Sequence, residues 1–218
     1  MRVDLFEGGP FAENTLLLTC ESTGARVLVD PGHAVRDALQ LLDDEGAEPE
    51  AILLTHAHLD HVEGIPLVLE RWPDLPVRMH PADFPYYQAV DKQAAWFGLP
   101  SFTLPDPVCD LEHDGVVRYG EELEFEVRFA PGHAPGHVIF VHETDGVALV
   151  GDVVFRGSIG RTDLPGGDHG ELLASISREV LTLPEETRLI PGHGPETTVS
   201  LERRSNPFLR GLESGDVA

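Results

Sequence analysis

The segment 51–61, AILLTHAHLDH, constrains the fold more than any other part of this chain of 218 residues. An apolar run that predicts a buried strand leads directly into three histidines and an aspartate: His56, His58, Asp60 and His61. His56 and His58 are two positions apart, so their side chains point the same way in extended backbone. Imidazoles and a carboxylate at this spacing predict a metal site for zinc, iron or manganese rather than calcium. The fold must therefore bring any further metal ligands to the end of this strand.

Strand-like and helix-like patterns alternate along the rest of the chain. Strand runs lie at 2–7, 14–20, 26–30, 51–55, 77–80, 123–130, 137–143, 147–152 and 187–191. Helical patterns lie at 34–45, 61–71, 82–97 and 170–182. Asp168 is the predicted N-cap of the last helix, with Glu171 three positions later. The Pro-rich segment 98–120 is predicted to be a surface loop. This alternation is typical of layered α/β proteins, and we expect one domain over residues 1–218.

Composition restricts the classes of partner. There are 38 acidic residues against 15 Lys and Arg, a formal net charge of −23, and Lys92 is the only lysine. So few cations disfavour a nucleic-acid partner. No apolar run approaches the ~20 residues of a membrane helix, and no signal-like stretch opens the sequence. Two cysteines do not suggest a disulfide framework. We expect a cytoplasmic protein with a small-molecule substrate and no nucleic-acid or membrane partner.

Two interpretations of the acidic surface stay open. A solvated acidic surface keeps a protein soluble in ordinary conditions. The same surface also fits a salty cytoplasm, where counter-ions screen its self-repulsion.

The segment HAHLDH, placed directly after a strand, resembles the H-x-H-x-D-H signature of the metallo-β-lactamase superfamily. The rest of the family pattern is matched in order by His133 in FAPGHAPGH, Asp152 in VALVGD and His193 in LIPGHG. The resemblance covers most of the chain. It implies a four-layer αββα sandwich, in which two sheets pack face to face with helices outside and the site lies along one edge.

The resemblance also implies how the ligands are divided between two divalent ions, zinc first, with iron or manganese as alternatives. The first ion would be held by His56, His58 and His133. The second would be held by Asp60, His61 and His193. Asp152 would bridge both ions, and Asp60 is in addition a candidate to orient the nucleophile.

The segment 151–172, GDVVFRGSIGRTDLPGGDHGEL, is similar to the glyoxalase II-like branch, which hydrolyses glutathione thioesters. This similarity implies attack of a bridging hydroxide on an anionic thioester such as S-lactoylglutathione. About 25 residues follow His193, so the helical segment that grips glutathione in glyoxalase II is expected to be missing or short. Because Asp152 stands where the commonest β-lactamase subclass has Cys, and no signal sequence is found, antibiotic hydrolysis is disfavoured.

Other activities stay open on the same scaffold. GRTD is also similar to the persulfide dioxygenases, which would use one iron held by His56, His133 and Asp152. Hydrolysis of another ester, a lactone or a phosphodiester is a further alternative, and so is a metal-binding module without turnover.

Four residues outside the ligand set are candidates for supporting roles. Asp30, at the end of the strand RVLVD, and His137 are predicted to hold ligands in place without binding the metals themselves. Arg156 and Arg161 follow Asp152 closely and are candidates for binding a substrate carboxylate.

Overall fold

Two β-sheets lie at the centre of the molecule in the computed structural model, which describes residues 1–212. The first sheet contains, in spatial order, β1 (Arg2–Gly8), β2 (Glu13–Thr19), β3 (Arg26–Val29), β4 (Ala51–Leu53) and β5 (Val77–Arg78). The strands β1, β2 and β3 pair antiparallel, and β4 and β5 continue parallel to β3. The parallel part places the carboxyl ends of β3 and β4 side by side.

The second half of the chain builds the other sheet. The strands of this half of the chain are β6 (Gly115–Tyr119), β7 (Leu123–Phe129), β8 (Val138–His142), β9 (Val147–Gly151), β10 (Val154–Phe155), β11 (Ser158–Ile159), β12 (Arg188–Pro191) and β13 (Thr197–Thr198). The sheet order is β13-β12-β9-β8-β7-β6, and β10 and β11 form a separate short hairpin. The strands β9 and β12 are parallel, so their carboxyl ends are also neighbours.

The helices are α1 (Val35–Glu45), α2 (Leu59–Val62), α3 (Ile65–Leu69), α4 (Phe84–Gln88), α5 (Val90–Trp96), α6 (His169–Ser175) and α7 (Val199–Ser205). A π-helical turn, Ile176–Val180, continues α6. Asp168 caps α6 as predicted, because its side chain accepts the backbone N–H of Glu171 at 2.9 Å. No helix within residues 1–212 is long and apolar enough to cross a membrane.

Side-chain alternation along the strands explains the four layers. In β2, Leu16 and Leu18 pack into the core between the sheets, whereas Leu17 packs outward against the layer of α1 to α5. In β8, Phe140 faces the core between the sheets and Ile139 faces α6 and α7. Each sheet is therefore covered on both faces, and these central strands are apolar on both sides. The αββα sandwich is confirmed.

The structure differs from the sequence prediction in several places. Residues 115–119, within the predicted loop 98–120, form β6, because Val117 and Tyr119 turn inward to the core and pair with β7. The helix α7 was not predicted, because its seven residues are too few to show a periodic pattern. The predicted helices at 61–71 and 82–97 are each divided into two shorter ones.

Candidate metal centre

The seven candidate ligands lie where strands end, along one edge of the sandwich. His56 and His58 follow β4, and Asp60 and His61 lie on α2 directly after them. The other three donors are His133 in the loop between β7 and β8, Asp152 after β9 and His193 after β12. The pairing of β9 with β12 brings the last two together, because parallel strands end at the same sheet edge. All seven predicted donors converge at this edge of the sandwich.

Three histidines form the first donor group. Nε2 of His56 lies 3.1 Å from Nδ1 of His58, which lies 2.8 Å from Nε2 of His133. The Nε2 atoms of His56 and His133 are 3.2 Å apart. Donors that share one tetrahedral ion at about 2.0 Å stand about 3.3 Å apart, so this triangle has the right size for one metal ion.

The second donor group lies beside the first and joins it through Asp152. Nε2 of His193 is 3.3 Å from Oδ2 of Asp60 and 3.4 Å from Oδ2 of Asp152. The same Oδ2 is 3.4 Å from Nε2 of His133, and Oδ1 of Asp152 is 3.5 Å from Nε2 of His61. Asp152 thus contacts donors of both groups, which is the position of a bridging ligand.

The ring nitrogens of His133, His193 and His61 that point away from the centre are hydrogen-bonded. Nδ1 of His133 donates to the carbonyl of Arg161 at 2.8 Å, and Nδ1 of His193 donates to the carbonyl of Phe11 at 2.9 Å. Nδ1 of His61 donates to the carboxylate of Asp30 at 3.1 Å. Such bonds fix the tautomer in which Nε2 carries the lone pair, which is the form that binds a metal.

Burial and charge in the two groups fit divalent cations. Burial, with His133 close by, lowers the pKa of His58 to about 3, so this imidazole is neutral at neutral pH. Burial alone would lower the pKa of His193 too, but the carboxylates of Asp152 and Asp60 raise it to about 10. Nε2 of His61 and Oδ1 of Asp152 are buried without a hydrogen-bond partner among the described residues. The carboxylates of the second group therefore favour a positive charge beside them. A cation bound there would also supply a partner to Nε2 of His61 and Oδ1 of Asp152.

Asp30 and His137 lie behind the donors and contact them or their backbone. Asp30 also accepts the backbone N–H and the hydroxyl of Thr55, at 2.8 and 2.6 Å. Nε2 of His137 accepts the backbone N–H of Asp152 at 3.0 Å, and its ring stacks on that of His56. Nε2 of His137 therefore carries no hydrogen, and its hydrogen bond holds the loop that contains Asp152.

Three residues that support the ligand loops were missed by the sequence analysis. Asp83 accepts the backbone N–H of Ala57 at 2.8 Å and that of Gly136 at 2.5 Å, and so joins the two loops that form the first donor group. The side-chain amide of Asn14 donates to the carbonyls of Pro191 and Gly194, at 3.0 and 2.9 Å, on either side of His193. Asn14 is one of several polar residues at the start of β2, which is only a weak signal, and for Asp83 no local signal exists.

The third missed residue, Gln93, fixes α5 against the ligand loop. Its Oε1 accepts the backbone N–H of Leu59 at 3.0 Å, and its Nε2 donates to the carbonyls of Ala57 and Tyr86 at 3.1 and 3.0 Å. With 7% of its surface exposed, Gln93 has its hydrogen-bonding groups satisfied by the backbone of two elements. The first turn of α2 and the face of α5 next to it are therefore rigidly connected.

A cavity of about 510 Å³ opens onto the donors. Its wall includes His58, Asp60, His133, Asp152 and His193, and the rest of its lining is largely apolar or aromatic. This volume suits a small organic molecule.

The two arginines predicted to contact substrate are placed differently. Arg161 lines the cavity, but its guanidinium is paired with the carboxylate of Asp163 at 2.7 and 2.8 Å. Arg156 is exposed and lies outside the cavity lining.

Comparison with known proteins gives consistent matches over nearly the whole chain. A family model described as the metallo-beta-lactamase superfamily matches residues 8–193, which include all seven donors. The hydroxyacylglutathione hydrolase GloC of Haemophilus influenzae is 34% identical, over 96% of this chain and 98% of its own length.

Two solved structures share the fold at substantial identity. TTHA1623, solved in a di-iron-bound form, superposes with a TM-score of 0.85 at 46% identity, over 95% of this chain and 100% of that one. The B3 metallo-beta-lactamase BLEG-1 superposes with a TM-score of 0.87 at 36% identity, over 96% of this chain and 100% of that one.

Proposed function

The chain belongs to the metallo-beta-lactamase superfamily and is a metal-dependent hydrolase, and we propose that it hydrolyses a thioester of an anionic thiol. The observation that carries this proposal is the pair of donor groups joined by Asp152 at the wall of a largely apolar cavity. The relative named hydroxyacylglutathione hydrolase supports the choice of thioester, because the match extends over almost the full length of both chains.

The residues present would hold two divalent cations, with His56, His58 and His133 in one group and Asp60, His61 and His193 in the other. Zinc is our first expectation, with iron or manganese as alternatives. Cations bound there would lower the pKa of a bound water to about 7 and polarise the carbonyl of a substrate.

Asp60 is the donor best placed to act on the attacking water as well. Its carboxylate lines the cavity. Burial alone would raise the pKa of Asp60, but His61 and His193 stabilise its anion and the pKa is lowered. An ionised Asp60 accepts a hydrogen bond from the water and so orients the lone pair of the water oxygen toward the carbonyl carbon.

The overall reaction balances without a further co-reactant. The oxygen of water forms a bond to the carbonyl carbon, the carbon–sulfur bond breaks, and the electron pair leaves with the sulfur. Protons from the water go to the thiolate or to solvent. A thiolate is a good leaving group, so no strong general acid is required from the cavity wall.

The test is thiol release from S-lactoylglutathione by the purified protein, loaded with zinc or iron, at low and high salt. We expect turnover, about two metal ions per chain, and loss of both in Asp152→Ala. Nitrocefin serves as a parallel substrate, because one structural relative is a β-lactamase. Absence of thioester turnover in the metal-loaded protein at both salt concentrations would reject the proposal. One iron per chain, together with consumption of O₂ when a persulfide is the substrate, would indicate the dioxygenase instead.

A further inference from the structure

One face of the segment around α5 looks into the cavity. Ala89, Lys92, Gln93 and Trp96 recur at the spacing of one helix face, and all four line the cavity. Gln93 anchors this face to the backbone of the HAHLDH loop, as described above. The backbone of Lys92 and Trp96 is therefore held on the wall of the cavity that also contains the metal donors.

Lys92 is the cation of this face that is free to bind a ligand. It is the only lysine of a chain with net charge −23, and its ammonium group makes no ion pair with any side chain in residues 1–212. Arg161, on the same cavity wall, is already paired with Asp163. An exposed ammonium on a flexible stem can reach a carboxylate that enters the cavity.

Aromatic side chains line the same cavity as Lys92. The indole of Trp96 is 64% exposed, and the ring of Phe97 is 47% exposed. The rings of Phe11 and Phe97 meet edge to face with centroids 5.0 Å apart, and Phe155 also lines the cavity. Large aromatic groups left open to solvent at the mouth of a cavity indicate a surface that an apolar ligand covers.

We propose that Lys92, Trp96, Phe97 and Phe11 form a recognition wall that selects thioesters carrying both a carboxylate, bound by Lys92, and an apolar acyl group, packed on the aromatic rings. This inference rests on the proposed thioester hydrolysis and adds the substrate class to it. It also replaces Arg156 and Arg161 by Lys92 as the carboxylate-binding cation. The lactoyl group is too small and polar to cover the aromatic rings, so a larger apolar acyl group should be preferred.

The test compares S-lactoylglutathione with S-mandeloylglutathione, which differ only by a phenyl group in place of a methyl group. Trp96→Ala should lower kcat/KM for the mandeloyl substrate by about tenfold or more, and for the lactoyl substrate by less than about threefold. Lys92→Met should lower kcat/KM for both by about tenfold, mainly through KM, and Lys92→Arg should retain most of it.

Matched controls separate these effects from general changes of the surface. Arg36→Met removes one exposed positive charge on α1, outside the cavity lining, and should leave kcat/KM for both substrates within about twofold. Val116→Ala removes an exposed apolar side chain on β6 and should do the same. If Arg161→Met and not Lys92→Met raises KM, the choice of cation is wrong.

A binding measurement without turnover keeps the two proposals apart. Calorimetry follows S-benzylglutathione, a thioether that cannot be hydrolysed, binding to the metal-loaded protein. We expect Lys92→Met and Trp96→Ala each to weaken binding by about tenfold. If thioesters are hydrolysed but both variants behave like the controls, the recognition wall is rejected and the hydrolase stands. If the thioether binds with these losses but no thioester is cleaved, thioester hydrolysis is rejected, and the wall stands only as a binding surface for a carboxylate and an apolar group.

Discussion

The carboxylate of Asp30 lies 3.1 Å from Nδ1 of His61 and accepts its hydrogen. The same carboxylate accepts the hydroxyl of Thr55, which in turn accepts the hydrogen on Nδ1 of His56 at 3.0 Å. One buried acid therefore orients a ligand from each donor group. Its backbone φ of 46° lies in the left-handed region, where Asp and Asn are tolerated better than most residues.

Asp30→Asn is expected to weaken metal binding by roughly 10–100-fold without unfolding the protein. Asparagine tolerates the same backbone conformation, but its amide offers one acceptor oxygen where the carboxylate offers two. An NH₂ group in place of Oδ2 would face the hydrogens of the Thr55 hydroxyl and of His61 Nδ1 and favour the wrong tautomer of the imidazole, and an NH₂ group in place of Oδ1 would oppose the backbone N–H of Thr55. Zinc titration by calorimetry measures the effect, with exposed Asp37→Asn as control. Unchanged zinc affinity would show that His61 is oriented by other contacts.

His58→Ala and Asp152→Ala should abolish turnover, whereas His137→Ala should be milder. His58 and Asp152 are donors, while His137 reaches the centre through its bond to the backbone N–H of Asp152. We expect a loss of about 10–100-fold for His137→Ala. Activity and metal content per chain are measured together for the three variants. Equal losses in all three would mean that His137 is itself a ligand.

His133, Asp152 and His193 were predictable through the resemblance to a family motif, and the four donors of HAHLDH were predictable because they follow a strand, whose pattern is local in sequence. The residues that hold the donors were not, because their contacts join distant segments. Asp83 bonds to the backbone of Ala57, 26 positions away, and of Gly136, 53 positions away. Nothing within a few residues of Asp83 marks it as different from an exposed acid in a turn.

The same limit applies to the cavity wall. Lys92 was visible as the only lysine, but its place in the cavity depends on how Gln93 docks α5 on the ligand loop. The strand β6 was missed for a related reason: its alternation spans five residues, and its pairing with β7 decides that it is a strand.

Asp83 should make the stability of the metal-free protein fall as pH rises from 4 to 7. Burial raises the pKa of Asp83 from 3.8 to about 6, although the N–H groups of Ala57 and Gly136 favour its anion. The folded protein thus holds a proton that the unfolded chain releases near pH 3.8. The stabilising contribution is full below pH 3.8 and is lost as pH rises through about 6.

Asp83→Asn removes this titration, so the free energy of unfolding of wild type relative to the variant should fall by about 2 kcal/mol between pH 4 and pH 7. Urea unfolding of both proteins in a chelator measures the difference, and the other titrating groups are common to both. A difference that stays constant over this range would mean that Asp83 is ionised throughout, with its two backbone hydrogen bonds outweighing burial.

The acidic surface should make stability depend on salt. A net charge of −23 is carried by 38 acidic side chains against 15 Lys and Arg, so self-repulsion opposes folding when screening is weak. The Debye length falls from about 30 Å at 0.01 M salt to about 3 Å at 1 M, so most of the repulsion between exposed charges is removed over this range. Urea unfolding at both KCl concentrations should show a higher free energy of unfolding at 1 M.

Screening predicts that most of the gain in the free energy of unfolding occurs below about 0.2 M, whereas a steady increase up to 1 M would indicate salt exclusion from the surface. Equal stability at both concentrations would mean that the acidic groups are too well dispersed to repel, and would remove the argument for a salty cytoplasm.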